Sequence, residues 1–335
     1  LTQPLYTGGR IASQRRGALD QKQAVAMTLQ GMESDVNLQA LNAYWNWSKA
    51  QSSVKAFESS VSWMEAHAQD MKHLREAGLA TENDALATEV QLEQTRLRLV
   101  DSRHRVSLAR AQIAYLAGKE LAAEAMPAEA PVPVSPQGQD ERQALAMAFS
   151  NRPERLARQL EARSADAATT AQKAGFYPQL YAQARYEQAR PNNLNIPPAD
   201  EWQGDAYVGV SVAWNLLDWG LTRAKVAEAA TRSAQARLRA DQADESITLE
   251  VRQARINLDS ALTRVQVAQS AIRSAELNLN SASDLWKNGM SRHADVLDAQ
   301  AKLTEAQFEH IAAKADAALA LAALKHAVGV MKLSP

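Results

Sequence analysis

Leu216-Leu217-Asp218-Trp219-Gly220 stands 211 residues after Leu5-Tyr6-Thr7-Gly8-Gly9, and that offset holds without a slip along the chain. Leu74, Gly78, Asp84 and Leu86 fall on Leu285, Gly289, Asp295 and Leu297, and Gly118 falls on Gly329. An offset preserved over this distance implies an internal duplication in which the intervening segments kept equal lengths. Those segments are long. Residues 10–77 and 221–287 contain no proline, and at a helical rise of 1.5 Å per residue each predicts a helix of roughly 100 Å. Thr7 and Asp218 precede them as residues whose side-chain oxygen can accept a free first-turn N–H. Gly78 and Gly289 follow them as residues suited to the left-handed turn that closes a helix. A returning helix to about Ala117 or Val328 completes each hairpin.

The second long segment shows what such a helix needs. Ile247, Val251, Ala254, Leu258, Ala261, Val265, Ala268, Ile272, Ala275, Leu279, Ala282 and Trp286 alternate spacings of four and three. That is a heptad seam, kept facing a neighbouring helix by left-handed supercoiling. Leu249, Ile256 and Leu277 lie off the seam and predict a second contact face. The return helix carries Val296, Leu303, His310, Ala317 and Leu324 at intervals of seven. Stripes on both faces of exposed helices predict oligomerisation.

Composition agrees with long helices. The 335 residues are rich in Ala, Leu, Gln, Arg and Glu, with aromatics at only 5%. That profile is typical of long helices and coiled coils. A net charge of −1 leaves no basic footprint for nucleic acid. Cysteine is absent, which removes disulfides and thiolate metal sites. No run of 18 apolar residues marks a membrane-spanning helix, and no signal peptide is recognisable at Leu1.

Between the hairpins the periodicity changes. Residues 119–140 form a linker with Pro127, Pro131, Pro133 and Pro136, followed by a helical segment over about 140–176 interrupted near Pro153. From Pro178 the pattern alternates: Leu180, Ala182, Ala184 and Tyr186 on one face, Tyr181, Gln183, Arg185 and Glu187 on the other. After a polar loop with Pro191, Pro197 and Pro198 it resumes, with Val208, Val210, Val212, Trp214 and Leu216 opposite Tyr207, Gly209, Ser211, Ala213 and Asn215. Two such strands, expected over about 179–190 and 206–217, match transmembrane barrel strands. A soluble hairpin covering a core has the same period of two. By the repeat, Leu1, Gln3 and Leu5 end a corresponding strand in the first copy. The partner strand and preceding helix, roughly 60 residues of architecture, are then expected upstream of Leu1.

Here the residues resemble the outer-membrane efflux proteins of the TolC type. Gln3-Pro4-Leu5-Tyr6-Thr7-Gly8-Gly9-Arg10 and Trp214-Asn215-Leu216-Leu217-Asp218-Trp219-Gly220 are similar to the family's strand-to-helix junctions. Arg152-Pro153-Glu154, Tyr177-Pro178-Gln179-Leu180 and Gly289-Met290-Ser291-Arg292-His293-Ala294-Asp295-Val296-Leu297-Asp298-Ala299 extend the likeness. The resemblance implies a mainly α fold with a small β portion. Long α-helical hairpins would form a trimeric α-barrel tunnel in the periplasm. Each protomer would give four strands to a shared twelve-stranded transmembrane β-barrel, of which this chain supplies three.

Its organisation reads as a first repeat over 1–118, a linker or equatorial region over 119–150, a second repeat over 151–330 with its hairpin at 221–330, and a C-terminal end at 331–335. The implied function is a passive exit duct of tripartite efflux or type I secretion in the Gram-negative outer membrane, extending into the periplasm and gated at the periplasmic helical tips. Its implied partners are two further copies of the chain, outer-membrane lipid, a periplasmic adaptor (membrane fusion protein) and an inner-membrane pump. A periplasmic adaptor also has long hairpins but needs lipoyl-like and soluble β-barrel segments. A soluble coiled-coil scaffold is the other alternative.

Asp295 and Asp298, three residues apart, share one helical face, and the resemblance places the family's aperture acids there. Crowded carboxylates raise each other's pKa and attract cations, and rings of Asp favour cation selectivity. In the first copy Asp84 matches Asp295, but Ala87 replaces the second acid. Solvated surface acids are the plainer alternative. Arg75, Gly78, Leu79 and Ala80 at one tip, and Gly289, Met290 and Ser291 at the other, are candidates for adaptor docking; a glycine that merely ends a helix is equally sufficient. Trp286 matches Arg75, so the two tips are expected to differ as surfaces. His67 and His73, six apart, do not share a face, and packing explains His310. No metal site, cofactor or catalytic constellation is expected.

Overall fold

A computed structural model describes residues 1–128, 130, 140–191, 196–197 and 200–331. The elements are β1 (Thr2–Tyr6), α1 (Arg10–Glu76), α2 (Glu82–Ala117), α3 (Glu141–Asn151), α4 (Pro153–Lys173), a 3-10 turn (Ala174–Phe176), β2 (Gln179–Ala189), β3 (Gln203–Ala213), α5 (Leu221–Lys287) and α6 (His293–Ala327). Both long helices have 67 residues. Pro131, Pro133, Pro136, Pro198 and residues 332–335 lie outside the described residues.

By compactness the chain divides into two units. One holds Leu1–Gly31 and Arg152–Ser246, the other Met32–Asn151 and the chain from Ile247 onward. Both sequence repeats contribute to each.

The first unit contains the sheet, in the order β1-β2-β3 and antiparallel throughout. Leu180 pairs with Val212, Ala182 with Val210 and Ala184 with Val208, while Tyr181 pairs with Ser211, Gln183 with Gly209 and Arg185 with Tyr207. The two alternating runs therefore meet like with like. A one-residue slip would have mixed the faces. Val208, Val210 and Val212 are 85%, 65% and 65% exposed in the protomer. On the opposite face Gln183 donates to the Ser211 hydroxyl at 3.2 Å and accepts from the Tyr207 hydroxyl at 2.7 Å.

The second strand differs from its expected range of 206–217: β3 begins earlier, at Gln203, and ends at Ala213. Its last pair is with Gln179, and the residue before that is Pro178, which has no N–H to continue the ladder. Trp214 instead donates its indole N–H to the Phe176 carbonyl at 3.2 Å. In the first copy the matching residues stay in the sheet, since Thr2–Tyr6 pair with β2 across an irregularity between Pro4 and Tyr6.

The turns into the long helices use the predicted caps. Thr7 Oγ1 accepts the Ile11 N–H at 3.4 Å, and the Asp218 carboxylate accepts those of Gly220 and Thr222 at 3.1 and 2.8 Å. Gly8 has φ +60°, and a Cβ there would sit 2.9 Å from the Ala174 carbonyl oxygen. Trp219, at the matching position, holds φ 55° with its ring in solvent.

Within this unit α4 packs against the N-terminal part of α1 and of α5, meeting α1 through small residues and α5 through polar ones. Ser164 donates to the Gly17 carbonyl at 2.9 Å, and Ala167 lies beside Gly17. Asp166 accepts from Ser233 and Arg237, and Arg155 forms a two-pronged pair with Asp244 at 2.8 and 3.0 Å.

In the second unit the seam of α5 is buried from Ile247 to Ala268 and half-buried from Ile272 to Trp286. Its upper part shares a core with Ala144 and Ala148 of α3 and with Leu324 and Ala327 of α6. Val54, Val61 and Met64 of α1 pack on Leu92 and Leu99 of α2. A strap at residues 122–128 ties down this hairpin. Arg110 donates to the Ala122 and Ala125 carbonyls while lying over Trp47, and Ser48 and Tyr44 bond the main chain of Ala128. No helix among the described residues is long and apolar enough to cross a membrane.

Candidate functional site

The tips of the two hairpins, both in the second unit, are closed by the same local chemistry. Gly78 N–H bonds the Arg75 carbonyl at 2.9 Å and Leu79 N–H the Leu74 carbonyl at 2.8 Å. Gly289 and Met290 repeat the pair on Trp286 and Leu285 at 2.9 and 2.8 Å. These are Schellman closures, which need a left-handed residue at the first position. Gly78 has φ +74° and Gly289 φ +71°, and a Cβ at either would meet nothing within 4 Å. Glycine is therefore required by the backbone angle and not by close packing. Arg75, Gly78, Leu79, Gly289 and Met290 are exposed, Ala80 and Ser291 half-buried.

The candidate acids open the return helices. Asp84 Oδ2 accepts the Thr81 N–H at 3.2 Å and the Thr81 hydroxyl at 2.6 Å, while Thr81 Oγ1 accepts the Asp84 N–H at 3.2 Å. This reciprocal box satisfies helix-end donors. The Thr81 hydroxyl, more than any other group, holds the Asp84 carboxyl below the usual carboxylate range. Asp295 is placed alike, accepting the Arg292 N–H at 3.0 Å with the Arg292 guanidinium 3.8 Å away. Helix capping thus accounts locally for Asp84 and Asp295. Asp298, one turn further on and exposed, has no such local partner among the described residues.

Between the tips lies a cluster that spacing along the chain did not reveal. Trp63 stacks on His67 with centroids 4.9 Å apart, His67 on His293 at 5.0 Å, and Trp286 tilts against His293 at 5.2 Å. These rings come from α1, α6 and α5. From α2 the Thr88 hydroxyl lies 2.8 Å from His293 Nε2, and it also donates to the Asp84 carbonyl at 2.8 Å. A hydroxyl has one hydrogen. Thr88 therefore accepts from His293, which fixes the neutral ring with its proton on Nε2 and a bare Nδ1.

His293 is 4% exposed. His293 Nδ1 and His67 Nε2 are both sealed from solvent without a hydrogen-bond partner. Burial pushes the His67 pKa down to about 4, helped by the charge His293 would carry and opposed by Asp70. Burial also lowers that of His293, opposed by Asp84. A cleft of about 480 Å³ opens beside the stack, reaching Asp70, His73 and Lys287.

The expected difference between the tips is explained here, because Trp286 turns inward onto the histidines whereas its counterpart Arg75 is exposed. Sequence reasoning set His67 aside for sharing no face with His73; its partner is 226 residues away on another helix. The only signal in the sequence was two tryptophans and two histidines close to the tip glycines.

A family model described as outer membrane efflux protein matches residues 1–119 and 144–330. No sequence among curated proteins matches the chain. Among solved structures, a membrane protein from Pseudomonas aeruginosa is 20% identical with a TM-score of 0.86, over 98% of this chain and 75% of that one. The outer membrane protein VceC from Vibrio cholerae is 15% identical at 0.85, over 98% and 78%. The open state of the Neisseria gonorrhoeae MtrE outer membrane channel is 18% identical at 0.83, over 98% and 73%.

Proposed function

We propose, for a chain that belongs to the outer membrane efflux protein family, that it is the passive exit duct of a tripartite efflux or type I secretion system. The protein acts in efflux at the Gram-negative outer membrane and extends into the periplasm, in a family of efflux proteins and not of enzymes. That membership displaces the periplasmic-adaptor and soluble-scaffold alternatives.

The observation that carries the duct reading is the sheet. Its exposed valine row faces away from a hydrogen-bonded polar row, the two-sided pattern of a strand between lipid and an aqueous lumen. Among the described residues β3 leaves the sheet with an open edge, which a neighbouring protomer would pair on the way to a closed barrel. Three copies are the number that the resemblance to TolC-type proteins implies. Exposed apolar residues off the seam of α5, Leu249, Ile256 and Leu277, supply the faces on which helices of adjacent copies would pack.

In this reading the hairpin tips face the inner membrane. Arg75, Gly78, Leu79, Ala80, Gly289, Met290 and Ser291 dock the adaptor, and the pump behind it supplies the driving force. Asp295 and Asp298, with Asp84 in the first hairpin, line the periplasmic aperture, where carboxylates from three copies bind cations. The test is conductance of the full-length protein in planar bilayers. The parent is expected to be cation-selective and blocked by divalent cations, and Asp295→Ala/Asp298→Ala to lose the block. A double variant with unchanged conductance and unchanged divalent inhibition refutes the aperture assignment.

A further inference from the structure

We propose that His67 and His293 form a proton-released latch that holds the tips of the two hairpins together while both imidazoles are neutral. The latch rests on the described tip geometry; its effect on conduction rests on the exit-duct reading.

The rings of Trp63, His67, His293 and Trp286 make one continuous stack drawn from α1, α6 and α5, and Thr88 of α2 bonds its centre. All four helices of the tips therefore meet at two titratable rings. The stack favours their neutral forms. With Nε2–H committed to Thr88, a proton arriving on His293 must take Nδ1, which is buried and faces no acceptor. A proton on both rings would place two like charges about one ring stack apart, at 5.0 Å between centroids, inside an apolar sandwich where they are poorly screened.

The other charged groups around the cluster do not cancel this. From α1, Asp70 favours the charged ring of His67, and His73 shares the same cleft. From α2, Asp84 favours the charged ring of His293 but is engaged by Thr81. From α5, Lys287 lines the cleft as a further cation. From α6, Asp295 is held by the Arg292 backbone, with the Arg292 guanidinium beside it.

The sign follows from these directions. Both histidines are depressed in the joined state, so separated tips bind more protons. The latch is fully set above the ordinary histidine pKa, near 6.5, and weakens as pH falls from there towards 4. With His67 at about 4, His67 alone shifts the opening equilibrium about tenfold at pH 5.5. His293 adds to this.

Amide hydrogen exchange of the full-length protein at pH 7.5 and 5.5 tests the latch, with rates corrected for the intrinsic pH dependence of exchange. Tip amides around residues 63–90 and 284–297 are expected to open at least tenfold more at pH 5.5, while amides of α3 and the upper part of α5 stay unchanged. His67→Phe keeps the stacked ring without its proton and is expected to reduce the response; adding His293→Gln, which keeps a donor to Thr88, is expected to abolish it. Equal tip exchange at both pH values, or a full response in the double variant, overturns the latch. Should the variants not assemble, NMR titration of the histidines in the parent decides, and a His67 that titrates at the ordinary value overturns it. A pH-dependent tip exchange with pH-independent conductance leaves the latch standing and removes the tips from the gate.

Discussion

His293 gives its Nε2–H to the Thr88 hydroxyl at 2.8 Å, and this one bond joins the second turn of α2 to the first turn of α6 across 205 residues of sequence. Thr88 is fully buried and its own hydrogen is spent on the Asp84 carbonyl. Thr88→Val keeps the shape and leaves His293 with an unpaired donor, which costs about 1–3 kcal/mol. The expected outcome is a lower thermal midpoint for the tip helices, read by amide exchange or circular dichroism, whereas Thr88→Ser retains most of the stability.

The two faces of α5 respond differently to truncation. Leu258 is 1% exposed in a core with α3 and α6, whereas Ile256 is 67% exposed. Leu258→Ala is expected to destabilise the protomer by about 2–5 kcal/mol, seen in denaturant unfolding at every protein concentration. Ile256→Ala is expected to leave the protomer unchanged and to shift the oligomer towards smaller species in sedimentation.

Neighbouring strand positions separate lipid from lumen. Val210 lies in the exposed apolar row and Ser211 in the polar row. Val210→Arg is expected to cost about 2–4 kcal/mol if it faces the bilayer midplane and to reduce heat-modifiable protein in outer-membrane fractions. Ser211→Arg should insert normally. Equal loss from both rows contradicts the assigned faces.

Asp166 joins α4 to α5 through the Ser233 hydroxyl and Arg237, with the Ser233 bond, then the Arg237 bond, lowering its pKa. A depressed carboxylate contributes above its unfolded pKa, near 3.9, and loses its contribution as pH falls through the folded value. Exchange of α4 amides is therefore expected to accelerate on acidification below about pH 4. Asp166→Asn is expected to show faster exchange already at neutral pH and no further acid step.

Much of this molecule could be read along the chain, because its organisation is periodic. Equal proline-free stretches between matched turns become two helices of 67 residues. The seam from Ile247 to Trp286 is buried or half-buried where the heptads place it, and Leu249, Ile256 and Leu277 are exposed where they fall off it. Strand alternation predicted which residues share a face. The end of β3 was not legible, since Trp214 and Leu216 continue the alternation while the ladder stops at Pro178 on the partner strand. That constraint lies in another segment.

By itself, then, the sequence determined element types, faces, turns and the lengths of the long helices, all of which depend on residues within a few turns of one another. Only the tertiary structure decided which side chains meet from different hairpins. Asp84 and Asp295 cap their helices through Thr81 and Arg292, three residues away, whereas the His67–His293 stack is set by packing between hairpins. Stacking and burial between rings 226 residues apart depend on how two hairpins pack. A histidine's environment, and hence its proton affinity, is set by that packing.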